Sequence, residues 1–133
     1  MDKYIVIAGN IGAGKSTLVK KLCKKMSWTP YYEPVSENPY LKDFYGNMEK
    51  WSFHSQIFFL ADRMADLRLL LKELDKPSAG NVVQDRSIYE DAEIFARNLY
   101  LSGKLAKRDF ETYWKLYKSS TSLLKAPDLV VYL

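Results

Sequence analysis

The chain has 133 residues, of which 47% are hydrophobic, and its formal net charge is +4. This length and apolar content predict a single globular domain, residues 1–133, with a core of its own. This small positive charge is compatible with binding of anionic small molecules. It is too small to indicate the basic surface of a nucleic-acid-binding protein. No apolar run approaches the roughly 18 residues of a membrane span, no signal peptide opens the chain, and one cysteine cannot build a disulfide framework. We therefore expect a cytoplasmic protein that binds neither nucleic acid nor membranes.

A phosphate-binding motif follows the first predicted strand, residues 4–8. Residues 9–16 read GNIGAGKS and match G-x-x-x-x-G-K-S/T, and the apolar spacing of a helix follows over residues 18–26. Glycines let the backbone approach a phosphate closely, and Lys15 and Ser16 supply a charge for the phosphates and a hydroxyl for Mg²⁺. An ordinary glycine-rich turn is the alternative, which the flanking strand and helix disfavour. The predicted ATP ligands are Gly9, Asn10, Ile11, Gly12, Ala13, Gly14, Lys15, Ser16 and Thr17.

The remaining elements alternate between strands and helices. In chain order we predict a strand at 29–35, a short helix at 38–46, a long helix at 49–72, a strand at 82–85, helices at 87–101 and 107–125, and a strand at 128–133. This alternation predicts an α/β three-layer sandwich with a parallel sheet. We expect the last strand to be buried. Because buried parallel strands are covered by further chain, we also expect the sequence to be part of a longer protein.

Charged side chains follow the predicted strands at the edge where open parallel sheets bind ligands. Glu33 follows the second strand, and Asp85 and Arg86 follow the third, just as the phosphate loop follows the first. Taken singly, Glu33 could be a solvated turn residue, and Asp85 and Arg86 could belong to a surface ion pair. Their common position favours a site around the phosphates.

Polar side chains interrupt the aromatic long helix at helical spacing. Gln56 can donate to and accept from the edge of a nucleobase, and Phe59 can stack on its rings. The pattern leaves a second interpretation equally open, in which Gln56 and Arg63 face solvent. One shared helical face is predicted for Ser52, Gln56, Phe59 and Arg63.

An acidic partner for Arg63 is available on the helix after Asp85. Ser87, Asp91 and Phe95 recur every four residues there, which stacks them on one face. A buried arginine needs a carboxylate because an unpaired charge in an apolar interior is costly. Asp91 is the natural candidate, and Phe95 could stack on a base together with Phe59.

Together these segments resemble the deoxynucleoside kinase family, and within it the bacterial deoxyadenosine/deoxyguanosine kinases. The resemblance implies a P-loop NTPase fold, ATP and Mg²⁺ as cofactors, and phosphorylation of the 5′-hydroxyl of a deoxynucleoside in nucleotide salvage. It also implies a homodimer, and it places the family's arginine-rich lid and a later acidic residue beyond residue 133. The matching segments are 9–17, 33–35, 44–45, 51–53 with Gln56, 85–89 and 128–133.

The resemblance further implies a role for each matching residue. Glu33 would be the general base at the 5′-hydroxyl, and Arg86 would pair with it and touch the transferring phosphate, with Lys15 completing the catalytic set. Asp85 would assist Ser16 at Mg²⁺. The substrate-binding residues would be Ile11, Glu33, Leu41, Tyr45, Gln56, Phe59, Arg63, Arg86, Asp91 and Phe95.

Within that substrate-binding set, Tyr45 would hold the 3′-hydroxyl of the sugar. Gln56 would hydrogen-bond the base, and Phe95 would stack on it. An arginine at position 63 with an aspartate at position 91 is the pairing of members that favour purines or deoxycytidine. The sugar and base pocket would be lined by Ile11 and Leu41.

The carboxylate of Glu33 also bears on the nature of the acceptor. A phosphate acceptor is already anionic and would be repelled by a carboxylate, whereas a neutral hydroxyl gains from a base. Glu33 therefore favours a nucleoside as the acceptor. The alternatives are a nucleoside monophosphate kinase of the thymidylate type and a phosphate-loop binding module that phosphorylates no small molecule.

Overall fold

The computed structural model describes residues 2–10, 12–32, 38–76 and 80–133, so Ile11 and Glu33 lie outside the described residues. The chain forms two compact units. The prediction of a single domain stays a prediction. The first unit comprises Met1–Pro34, Asp66–Ser87 and Lys125–Leu133, and the second unit comprises Val35–Ala65 and Ile88–Leu124.

The first unit contains a four-stranded sheet in the order β2-β3-β1-β4, with all described pairs parallel. Ile7 of β1 lies opposite Asp85 of β3, so these two strands end side by side. The predicted parallel sheet is confirmed. The strands are β1 (Tyr4–Ala8), β2 (Thr29–Tyr31), β3 (Val82–Asp85) and β4 (Leu129–Tyr132).

The core of the first unit lies between the sheet and α1 (Lys15–Met26). Every residue of β1 is buried, as expected of a parallel strand covered on both faces. The lysines of α1 at positions 20, 21, 24 and 25 are exposed and form its solvated face. The buried cluster consists of Ile5, Ile7, Val19, Cys23 and Val83.

β4 corrects the prediction of a buried final strand. It pairs with β1 in parallel as expected, but Leu129 and Tyr132 are 54% and 65% exposed. The physical reason is its position, since β4 lies at the edge of the described sheet and β1 flanks it on one side.

A carboxylate fixes the start of β4 to the start of β1. The backbone N–H of Tyr4 donates to Asp128 Oδ2 at 2.8 Å, and the N–H of Asp128 donates to the Tyr4 carbonyl at 2.7 Å. Lys125 Nζ lies 3.1 Å from the same carboxylate oxygen. The hydrogen bond from Tyr4 and the ion pair with Lys125 lower the pKa of Asp128.

The second unit is helical. Within the described residues, no helix has the combined length and apolar character that crossing a bilayer requires. Its helices are α2 (Leu41–Gly46), the part of α3 (Met48–Leu74) up to residue 65, α4 (Ile88–Glu90), a π-helical segment (Asp91–Ala96), α5 (Arg97–Leu101) and α6 (Lys107–Thr121).

The start of the predicted short helix and the end of the predicted last helix differ from the structure by several residues. The short helix begins at Leu41 because Asn38 closes a turn ahead of it, accepting from the Tyr40 N–H at 2.9 Å. The Asn38 amide also donates to Ser55 Oγ at 3.1 Å. The last helix ends at Thr121, short of the predicted residue 125.

Replacing Asp128 by Asn is expected to lower stability at neutral pH. A carboxyl whose pKa is lowered by folding stabilises the folded protein above the unfolded pKa, near pH 4, and loses that effect as pH falls through the folded pKa. The difference in unfolding free energy between wild type and Asp128→Asn should therefore shrink on acidification, as measured by urea unfolding between pH 7 and pH 3 (roughly the range of the linkage). Asp75→Asn, at an exposed position after α3, is the control. Equal acid dependence of the two variants would contradict the assignment.

Candidate active site

The phosphate loop joins β1 to α1. Gly12 and Gly14 have φ values of +80° and +94°, a left-handed conformation that glycine adopts without strain. A Cβ at either position would meet nothing within 4 Å, so conformation and not space requires glycine there. At Gly9 space is decisive, because a Cβ would lie 2.8 Å from the Leu133 carbonyl oxygen.

The start of α1 is suited to an anion. Gly14 occupies the N-cap without a side-chain cap, and no acidic residue lies in the first turn. The first N–H groups of a helix have no intrahelical acceptor and carry the positive end of the helix dipole. Gly12, Ala13 and Gly14 are exposed, so a phosphate can reach these donors.

Lys15 lies beneath this loop. Its side chain is 6% exposed, and Nζ donates to the carbonyl oxygens of Gly9 and Asn10, at 2.9 Å each. Neither acceptor carries a formal charge, so these bonds position the ammonium group without neutralising it. The arrangement places a full positive charge at the loop that the motif assigns to phosphates.

Ser16 and Asp85 meet across the ends of α1 and β3. Ser16 Oγ donates to Asp85 Oδ2 at 2.6 Å. Asp85 is 2% exposed, and its Oδ1 has no hydrogen-bond partner in the part of the chain that the structure describes. A hydroxyl and a buried carboxylate with an unsatisfied oxygen are the hard ligands that Mg²⁺ prefers. The donor set therefore fits Mg²⁺.

Arg86 follows directly and turns the chain sharply. Its φ of +64° is uncommon for a residue with a side chain. Its N–H donates to the Ile7 carbonyl at 3.1 Å, and its Nη2 donates to the Gly9 carbonyl at 3.4 Å. The guanidinium group is thus held at the phosphate loop. The predicted pairing with Glu33 lies outside the described residues.

In the second unit, three polar residues predicted to share one face of α3 are buried. Ser52, Gln56 and Arg63 are 0%, 6% and 4% exposed. This excludes the interpretation in which Gln56 and Arg63 face solvent. Phe59, predicted on the same face, is half-buried.

The predicted partner of Arg63 is confirmed. Arg63 Nε donates to Asp91 Oδ2 at 2.7 Å, and both side chains are almost fully buried. Because the two residues lie 28 positions apart, the pair links α3 to the π-helical segment. A buried guanidinium with a paired carboxylate offers directional donors and acceptors to a ligand.

The π-helical segment corrects the predicted stacking of Ser87, Asp91 and Phe95. Ser87 precedes α4, and the chain from Asp91 to Ala96 follows a π-helix, in which hydrogen bonds run from residue i to i+5. The N–H of Arg97 donates to the carbonyl of Ala92 in this way. Residues four apart therefore do not repeat on one α-helical face, and Phe95 is half-buried while Asp91 is buried.

The two residues that the resemblance places at the sugar lie on α2. Leu41 is half-buried, and Tyr45 is 69% exposed. Their predicted contacts with a nucleoside stay predictions, as do those of Phe59 and Phe95.

Sequence reasoning missed one contact close to Asp91. The Tyr117 hydroxyl on α6 donates to Glu93 Oε2 at 3.2 Å. The spacing of Tyr113 and Tyr117 indicates only that both belong to the core, and a hydrophobic pattern carries no information about where a hydroxyl ends. Local sequence offered no signal for this bond.

A glycine loop between a parallel strand and a helix, with Lys15 beneath it and the Asp85–Ser16 pair beside it, defines a phosphate-loop nucleotide-binding protein. A family model described as deoxynucleoside kinase matches residues 5–133. The chain therefore belongs to the deoxynucleoside kinase family.

Individual relatives agree with this assignment. A deoxyadenosine/deoxycytidine kinase of Bacillus subtilis is 42% identical over 99% of this chain and 59% of its own length. A deoxyadenosine kinase of Dictyostelium discoideum is 40% identical over 98% of this chain and 51% of its own. The chain thus spans about half to three fifths of the length of these relatives.

The fold is also that of solved structures. A deoxyadenosine kinase from M. mycoides, with dCMP and dCDP bound, matches with a TM-score of 0.78 at 34% identity. The match covers 97% of this chain and 62% of that one. The predicted α/β class and P-loop NTPase fold are confirmed.

Replacing Gly9 by Ala is expected to weaken both the fold and nucleotide binding. The new Cβ would lie 2.8 Å from a backbone oxygen, which cannot move aside without disturbing β4. We expect a loss of about 1–3 kcal/mol in unfolding free energy and weaker ATP binding, measured by urea unfolding and calorimetry. Gly46→Ala is the control because a Cβ there meets nothing within 4 Å. Equal stability of the two variants would be the contrary result.

Proposed function

We propose that the complete protein transfers the γ-phosphoryl group of ATP, bound with Mg²⁺, to the 5′-hydroxyl of a deoxynucleoside. The product is the deoxynucleoside monophosphate, as in deoxynucleotide salvage. Deoxyadenosine and deoxyguanosine are the favoured substrates, and deoxycytidine is a further one. The names of the Bacillus and Dictyostelium relatives support deoxyadenosine and deoxycytidine.

The observation that carries this proposal is the buried ion pair of Arg63 and Asp91. A buried ion pair is commonly no more stabilising than an apolar replacement of similar volume. Its presence in the second unit, with Gln56 also buried on α3, therefore favours recognition of a polar ligand. A phosphate-loop module that only binds nucleotides has no need of these groups.

The triphosphate is assigned to the first unit. Backbone N–H groups at the start of α1 donate to the phosphate oxygens, and Lys15 adds a full charge. Arg86, held at Gly9, supplies a second cation near the transferring group. Phosphoryl transfer depends mainly on such positioning and charge stabilisation.

Magnesium is assigned to Ser16 and Asp85. The unsatisfied buried oxygen of Asp85 and the neighbouring hydroxyl are the observations that support this assignment. When bound, the ion supplies charge neutralisation to the phosphates. The two side chains themselves orient one another through their 2.6 Å hydrogen bond.

Glu33 is assigned the role of general base. A neutral 5′-hydroxyl becomes a better nucleophile when a carboxylate accepts its proton, and Glu33 follows β2 in the chain. Tyr45 is assigned to the 3′-hydroxyl, with Ile11 and Leu41 lining the sugar and base pocket. Gln56 is assigned to the edge of the base, and the rings of the base are assigned to stack on Phe59 and Phe95.

We also propose a cytoplasmic homodimer. ATP and deoxynucleosides meet in the cytoplasm, and the thiol of Cys23 is free, as in reducing compartments. The second unit exposes large apolar side chains that a partner subunit would cover, among them Leu101 and Leu116 at 73% and 47% exposure.

The role of Glu33 as the general base is tested by Glu33→Gln in the complete protein. Turnover should fall by on the order of 10² or more, with the affinity for ATP little changed, because the amide cannot accept the proton. Initial rates with deoxyadenosine, deoxyguanosine and deoxycytidine measure the effect. Glu49→Gln, an exposed carboxylate on α3, is the matched control.

Other outcomes would point to other functions. Unchanged turnover in Glu33→Gln would remove its role as the base. Tighter calorimetric binding of deoxynucleoside monophosphates than of deoxynucleosides would favour a nucleoside monophosphate kinase. An absence of nucleoside binding would favour a binding module.

The recognition residues are tested by the double variant Arg63→Met, Asp91→Ala. Removing both partners avoids leaving one buried charge alone, which would itself be strongly destabilising. We expect purine selectivity to weaken and pyrimidine deoxynucleosides to be accepted, measured as the ratio of kcat/KM values. The control is Lys107→Met, Glu111→Ala, an exposed pair 3.9 Å apart on α6. Unchanged selectivity would refute the assigned pair.

A further inference from the structure

The π-helical segment Asp91–Ala96 lies between two pieces of ordinary α-helix. A π turn is rare, and it persists where surrounding contacts hold it. Two side chains of this segment make buried or half-buried polar contacts: Asp91 binds Arg63, and Glu93 binds Tyr117. The segment therefore has identifiable restraints on its conformation.

Helix α6 contacts the chain on both sides of the π-helical segment. On the side of α4, the ring of Tyr89 lies 6.3 Å from that of Tyr117. On the side of α5, the guanidinium of Arg97 lies 4.9 Å from the Trp114 ring. Because one regular helix contacts residues before, within and after the segment, it can fix the extra residue that the π turn inserts.

Tyr117 makes the contact within the segment. Its side chain is 1% exposed, and its hydroxyl donates to Glu93 Oε2 at 3.2 Å. Burial and then the charge of Glu93 raise the pKa of Tyr117, so its hydroxyl stays a donor at neutral pH. Loss of this donor would leave Glu93 with its longer contact to Arg97, at 3.8 Å.

Tyr113 lies one turn earlier on the same face of α6. It is fully buried, and its hydroxyl has no hydrogen-bond partner among the described residues. Burial and then the charge of Asp91 raise the pKa of Tyr113. Because that hydroxyl makes no bond to the segment among the described residues, the restraint from α6 is assigned to Tyr117.

We propose that Tyr117 is a positioning residue that holds the π-helical segment, and through it Asp91 and Phe95, in the arrangement that recognises a nucleobase. The part of this inference that concerns the nucleobase rests on the proposed function. Without the restraint from α6, the segment can relax to an α-helix, which rotates Phe95 relative to Asp91 and strains the bond to Arg63.

The kinetic test uses Tyr→Phe variants of the complete protein, which keep the ring contacts. Tyr117→Phe should raise the KM for the deoxynucleoside roughly three- to tenfold, with kcat and the KM for ATP within about twofold of wild type. Tyr100→Phe is the control, because that ring stacks on Phe110 at 4.6 Å and its hydroxyl makes no hydrogen bond among the described residues.

Two variants of Glu93 test its role as the hydrogen-bond partner of Tyr117. Glu93→Gln retains a side-chain oxygen for the Tyr117 hydroxyl and should keep a KM near that of wild type, whereas Glu93→Ala should resemble Tyr117→Phe. An unchanged KM in Tyr117→Phe, or equal changes in kcat and both KM values, would overturn the inference.

Amide hydrogen exchange tests this inference independently of the proposed function. Faster exchange over residues 91–97 in Tyr117→Phe than in Tyr100→Phe supports the restraint, and equal exchange overturns it. A wild-type protein that phosphorylates no nucleoside would refute the proposed function, and the exchange data would still decide whether α6 holds the segment.

Discussion

Parallel pairing of β1 with β3 is the constraint on which the phosphate-binding residues depend. Ile7 lies opposite Asp85, and the ladder continues with the bond from the Arg86 N–H to the Ile7 carbonyl. The loop after β1 and the polar residues at the end of β3 therefore lie at the same edge of the sheet. The 2.6 Å bond between Ser16 and Asp85 is the direct result. A shift of one residue in register would turn Asp85 to the other face of the sheet.

Each unit keeps buried charges that an optimally stable fold would avoid. In the first unit the carboxylate of Asp85 is partly satisfied by Ser16, and in the second Arg63 is paired with Asp91. Removing such a group from water costs on the order of several kcal/mol per ion. Hydrogen bonds and a nearby opposite charge offset that cost. Their presence is easiest to understand if a ligand completes them. Under the proposed function, a nucleotide and a nucleoside would be these ligands.

Sequence reasoning succeeded where a contiguous pattern decides the structure. Residues 82–85 form the predicted strand, and α3 covers the predicted long helix with a short extension at each end. It failed where the outcome depends on distant neighbours. Burial of β4 depends on its place in the strand order, and the placement of Phe95 depends on a π turn that apolar spacing does not reveal. The role of Glu33 rests on sequence, because that residue lies outside the described ones.

By itself the sequence determined the phosphate loop, the parallel α/β class and the candidate partner of Arg63. These follow from glycine positions, the alternation of strands with helices, and the need of a buried cation for a carboxylate. Only the tertiary structure decided that Gln56 and Arg63 are buried and that Tyr117 holds Glu93. The reason is physical: burial and side-chain hydrogen bonds depend on which distant segments pack together, whereas a turn or a helix is specified by residues adjacent in the chain.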